Sequence, residues 1–199
     1  MDYTDLTNVK GSLDSQIPAA DTILPPWITK ASRYLDRLCT SQPNVVDYFK
    51  LETITNEALT NGKIDGSGRL TLWPHKPVIQ SVSALSFRCS LRENWRTADL
   101  SLVSVEQEAV VYEGNLFYSD KVYAKVSYTG GLGTVLADLP QDLIDLATVQ
   151  TVRLYKEARS GLGDAIGIQE LGQLVYTKAF ASRVLDTLNN GYMRVVPWI

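Results

Sequence analysis

Apolar and polar residues alternate over Val122–Tyr128. Val122, Ala124, Val126 and Tyr128 fall on one side, and Tyr123, Lys125 and Ser127 on the other. That period of two predicts a half-buried β-strand. Gly130, Gly131 and Gly133 break the pattern, and Pro140 then occupies a first helical position, where its missing N–H costs nothing. Leu143, Ala147, Thr151, Leu154 and Ala158 recur at spacings of three and four and predict one buried helix face. Asp142 and Asp145 at the start, Lys156 and Arg159 near the end, and the stops at Gly161 and Gly163 fit a helix and its dipole.

Upstream, Thr4 is a plausible N-cap for a short helix through Leu6, Val9, Lys10 and Leu13. Asp21 opens a second helix whose regular part starts at Pro25-Pro26. Its stripe is Trp27, Ile28, Ala31, Tyr34, Leu35 and Leu38. From Pro43 to Tyr128 the pattern becomes that of short antiparallel strands. Val45–Ile54 reads as extended, Asn61-Gly62 and Asp65-Gly66-Ser67-Gly68 read as turns, and Trp73-Pro74-His75-Lys76-Pro77 is held open by proline. Val78–Phe87 alternates with Val82, Leu85 and Phe87 as inner positions, and Glu113-Gly114 reads as a hairpin turn between Val103–Tyr112 and Asn115–Tyr118. Asp164–Tyr176 reads as a loop or hairpin. Lys178–Asn190 reads as a fourth helix with Ala181, Val184, Leu185 and Leu188 inward. Residues 191–199 are too short to fold alone, yet Tyr192, Met193, Val195, Val196, Pro197, Trp198 and Ile199 make them far more apolar than an ordinary tail. They either pack back on the protein or dock into a partner subunit, where Tyr192 and Trp198 are good anchors.

Composition narrows the function. The chain has 199 residues, 45% hydrophobic, a formal charge of −3 and a single histidine. This suits one domain with a sizeable core and argues against a dense basic nucleic-acid surface. No secretory leader or apolar span is visible, so a soluble, cytosolically made protein without membrane contact is expected. Cys39 and Cys89 stand fifty residues apart with no CxxC and read as free thiols. His75, between two prolines, must serve any His-dependent device, and a structural or exposed role is its default. With one imidazole and scattered carboxylates, no metal or cofactor motif is present. Gly130-Gly131-Leu132-Gly133 sits between a strand and a helix like a phosphate cradle but lacks the P-loop lysine, so it reads as a turn. Asp142 and Asp145 are explained as dipole partners, although a carboxylate pair for hydrolysis stays open. Arg153, Lys156 and Arg159 lie on the outer side of the third helix, either solvated or as a charged contact to a neighbouring subunit.

The order of these elements resembles the head–tail connector (adaptor) proteins of tailed bacteriophages. The resemblance rests on the opening Tyr3, Thr4, Asp5, Leu6, Val9 and Lys10, and on the helix Ile28–Cys39. It rests further on Tyr128, Gly130, Gly131, Leu139, Pro140, Leu143, Ala147 and Tyr155 around the glycine turn and the following helix. It implies a structural virion protein in a homo-oligomeric ring, usually twelve-fold, between the portal protein and a stopper or tail-completion protein. Genomic DNA would pass through its channel without sequence-specific binding. The segment Tyr192, Met193, Arg194, Val195, Val196, Pro197, Trp198, Ile199 would reach into the portal ring, and 161–176 would face a neighbour or the next ring.

The expectation is therefore an α+β, non-enzymatic, single connector domain. A four-helix connector-type core (1–42 and 129–190) would carry an antiparallel β-rich insertion (43–128) and a docking tail (191–199). Two other readings remain. One is a monomeric ligand-binding module using Trp73, Trp95 and Tyr112; the other is a small carboxylate-dependent hydrolase.

Overall fold

The computed structural model describes residues 1–13, 20–40, 46–106, 108–160, 165–168 and 173–176. Its largest feature is a seven-stranded, wholly antiparallel sheet. The strands are β1 (Glu52–Ile64), β2 (Leu70–Leu72), β3 (Ile79–Arg88), β4 (Arg96–Thr97), β5 (Val103–Glu106), β6 (Ala109–Tyr112) and β7 (Ser119–Gly130), in the order β4-β3-β7-β1-β2-β6-β5. The helices are α1 (Leu6–Gly11), a single turn α2 (Ala20–Ile23), α3 (Pro25–Cys39) and α4 (Gln141–Ser160). A separate hairpin pairs β8 (Ala165–Ile168) with β9 (Gln173–Tyr176), one of the two forms expected for that segment.

The expected four-helix connector-type core is overturned. The described residues form three helices of more than one turn and a seven-stranded sheet, and most of the fold is β. The physical reason is the reach of β1 and β7. They pair along nearly their whole lengths, from Glu52↔Gly130 to Ile64↔Ser119, so the block is a sheet with a core of its own. Leu59, Ile64, Leu70, Leu72, Leu85, Phe87, Val110, Val122, Val126 and Tyr128 form that core. The expected fourth helix lies outside the described residues.

Two β-bulges explain why the pattern of β1 was hard to read. Register shifts fall between Ile54 and Glu57 and between Leu59 and Gly62. Each bulge adds a residue and changes which parity faces inward. Ile54, then Glu57 and Leu59, then Gly62 and Ile64 are thereby turned to one face. Asn61-Gly62, expected as a turn, is the second bulge within the strand. In β3 a shift between Val82 and Ala84 lets Val82 and Leu85, three apart, both approach the core. The Asp65–Gly68 turn forms as expected. Asp65 Oδ1 accepts from the Ser67 and Arg69 amides, and Gly68 takes φ +82°. The second hairpin turns not at Glu113-Gly114 but after Glu106, where Glu108 takes φ 66°.

The chain divides into two units. One contains Met1–Asp47 and α4. In it α4 lies against α3 and α1, and Val9, Leu24, Ile28 and Tyr155 share a cluster. The helix α1 is capped by Asp5, whose carboxylate accepts from the Asn8 amide at 2.8 Å. Thr4, the expected cap, is instead buried, with its hydroxyl 2.6 Å from that of Thr148 on α4. The buried face of α4 runs Leu143, Ala147, Thr151 and Tyr155, and Ala158 is exposed. Asp36 is fully buried and holds this unit's polar centre. It accepts from Tyr3 Oη, from Arg33 Nη1 at 2.6 Å and from the Asp47 amide at 3.0 Å. The other unit is Tyr48–Thr134, the sheet and its loops.

Candidate functional site

The bulge at Asn56 (φ 52°) has a chemical consequence. It turns Glu57 toward the Trp73–Pro77 crossing, where its carboxylate accepts from the His75 amide and pairs with His75 Nδ1. Tyr128, at the inner end of β7, also hydrogen-bonds Glu57 and accepts from the Lys76 amide at 3.1 Å. Burial raises the Glu57 carboxyl, but the bonds from His75 and Tyr128 outweigh it and hold it below the usual range. Lys76 is buried beside this group. Its Nζ reaches Glu52 Oε1 at 2.7 Å and the Lys50 carbonyl at 3.1 Å.

These contacts tie the proline-rich crossing to β1 and β7. His75 thereby takes part in holding the crossing. Glu57 was missed because no spacing rule links residues eighteen apart across a bulge.

The glycine turn has an equally structural explanation. At Gly131 φ is +120°, and an added Cβ would stand 2.3 Å from the Lys50 carbonyl oxygen. The Gly131 amide donates to the Pro77 carbonyl at 2.8 Å and the Leu132 amide to the Phe49 carbonyl at 2.8 Å. These two amides are spent on the protein's own chain, and the loop redirects the backbone. Asp145 is held by Gln141 Nε2 at 2.8 Å. Among the described residues, no group of three or more His, Cys, Asp or Glu is placed to hold a metal. No described helix is long and apolar enough to cross a membrane.

The structure does not bring together the residues of the ligand-module reading. Tyr112 packs on Phe87, rings 5.6 Å apart, against the sheet's core. Trp95 stacks with Arg88 and Lys125 on the outward face, and the Trp73 carbonyl accepts from Asn61. On α4, Arg153 Nε bonds Glu157 at 2.7 Å, Arg159 Nη1 donates to Tyr155 Oη at 3.1 Å, and Lys156 is exposed. The segment Tyr192–Ile199 lies outside the described residues.

What the sheet unit does present is apolar surface on its loops. Phe117 is 93% exposed and Tyr118 61%, just before β7, while Leu91 is 64% exposed between β3 and β4. Leu100 and Leu102 are exposed immediately before β5. By strand register these loops lie toward the same end of the sheet, where Ile64 meets Ser119 and Arg88 meets Tyr123. Exposed large apolar side chains gathered in this way are the mark of an interaction surface.

No protein-family model and no curated relative matches the sequence. Among solved structures, a chain of "Neck of empty GTA particle computed with C6 symmetry" is similar at 12% identity and a TM-score of 0.50, over 98% of this chain and 93% of that one. A chain of "Virion of native gene transfer agent (GTA) particle" is 13% identical with a TM-score of 0.47, over 98% and 93%. At this identity the first likeness establishes a shared fold.

Proposed function

We propose that this chain is a structural protein of the neck of a tailed, phage-like particle, acting as one connector domain without enzymatic activity. The observation that carries the reading is the fold shared with a neck chain over 98% of this sequence. The exposed Phe117, Tyr118 and Leu91 support it as surface suited to burial against other subunits.

In this reading copies of the chain form a ring, twelve-fold, a number that six-fold symmetry divides. The ring sits between the portal protein and a stopper or tail-completion protein, and genomic DNA passes through it without sequence-specific readout. Tyr192–Ile199 docks into the portal with Trp198 as anchor, and Arg153, Lys156 and Arg159 contact the neighbouring subunit. Arg153 would exchange its Glu157 partner for one on that neighbour.

Deleting the gene in its own particle-producing host tests the role. Filled heads without tails, restored by the gene in trans, are expected under electron microscopy. Normally tailed particles would overturn it.

A further inference from the structure

Some basic side chains are held in ion pairs. Arg33 pairs with Asp36 and Asp47, Arg69 with Glu106, Lys76 with Glu52 and Arg153 with Glu157. On the outward face of β3 and β7 cations lie over aromatic rings instead. Lys121, Tyr123 and Lys125 project from β7 opposite the buried Val122, Ala124 and Val126, and Arg88 stands in register with Tyr123. Arg88 and Lys125 lie over the Trp95 ring at 4.4 and 4.6 Å. Arg88 and Lys121 lie over Tyr123 at 5.9 and 5.4 Å.

Among the described residues, none of these three cations has a carboxylate in ion-pair distance. Arg88 Nη1 donates to the Leu91 carbonyl at 3.2 Å. Arg92 and Arg96 flank Trp95 and are exposed, and the one acidic residue among them, Glu93, is engaged by the Cys89 amide. In a chain of formal charge −3, positive charge has been gathered on one sheet face.

We infer that this face, Arg88, Lys121 and Lys125 around Trp95 and Tyr123, binds the phosphate backbone of duplex DNA without reading its sequence. Charge complementarity selects the ligand. A duplex carries about one negative charge per 1.7 Å of axis, dense enough to meet every cation of the face at once. Lys121 and Lys125 are four residues apart on one strand, about 13 Å along it, so they address separate phosphates. Cations already cover the Trp95 and Tyr123 rings, so the face offers charge rather than stacking platforms for splayed bases. This inference stands on the charge distribution and does not need the neck reading.

The test is fluorescence anisotropy of the full chain with a labelled duplex of about thirty base pairs, titrated across salt. The Lys121→Gln/Lys125→Gln variant is compared with wild type and with Lys30→Gln/Arg37→Gln, which removes two exposed cations from α3. Both substituted sites are at the surface, and circular dichroism checks folding. The β7 variant should lose about tenfold or more in affinity at low salt, and its slope of log K on log salt should be shallower by about 2. The α3 variant should match wild type, and changing the duplex sequence should change nothing. Three results would overturn the inference: no duplex binding by wild type at low salt, equal loss in both variants, or displacement of the duplex by polyglutamate at equal charge. The last would assign the face to an acidic protein.

Discussion

Val78 holds φ at 48°, a region that a β-branched residue seldom enters. It is held there by the Gly131 amide, which donates to the Pro77 and Val78 carbonyls. Val78→Gly should relieve this strain and raise stability by about 1 kcal/mol, seen as a higher urea midpoint at unchanged slope. A lower midpoint would mean that the Val78 side chain contributes more than its backbone costs. Glu57 carries a pH dependence of definite sign. Its folded carboxyl titrates below the usual range, so the stabilisation is present above its unfolded value of about 4.3 and is lost as pH falls through the folded value. Glu57→Gln should therefore flatten the acid limb of the stability–pH curve. An unchanged limb would show that other carboxylates set it. Burial, aided by Asp36, pushes the Cys39 thiol up to about 12. In the native protein Cys39 should resist thiol reagents until unfolding, while the half-buried Cys89 reacts first. Equal rates would contradict the placement of Cys39.

Among the elements, β1, β7 and the glycine turn decide the fold. Gly131 is where the turn meets the Lys50 carbonyl, and Gly131→Ala should destabilise by at least about 2 kcal/mol, measured by denaturant unfolding. A neutral effect would place the turn elsewhere. The elements that announced themselves were those with unbroken periods: α3 with its double-proline start, α4, and the alternating half of β7. The strands that did not were bulged. Asn61-Gly62 has the composition of a turn and serves as a bulge, because pairing with β7 on both sides outweighs the local preference. Likewise the Glu113-Gly114 signal yielded to a turn at Glu108, which the ladder from Val103↔Tyr112 to Glu106↔Ala109 requires. The four-helix expectation failed for the same reason: local turn signals hid the length of β1 and so the size of the sheet.

On the scale of the whole molecule, net charge and its distribution are separate observations. An overall −3 argues against a dense basic nucleic-acid surface, and within it alternation along β7 and the register with β3 collect Arg88, Lys121 and Lys125 on one face. The exposed Phe117 and Tyr118 were legible as residues but not as surface, since they were expected to form a strand. The proposed neck role starts from the order of elements, and the comparison adds a shared fold. The most direct measurement is cryo-electron microscopy of the purified chain mixed with the portal particle encoded in the same genome, with and without residues 195–199. A new ring of density on the portal's outer face, lost on truncation, is expected. A folded chain that leaves the matched portal bare would contradict the neck role, whereas a ring that survives truncation would contradict only the docking role of Val195–Ile199.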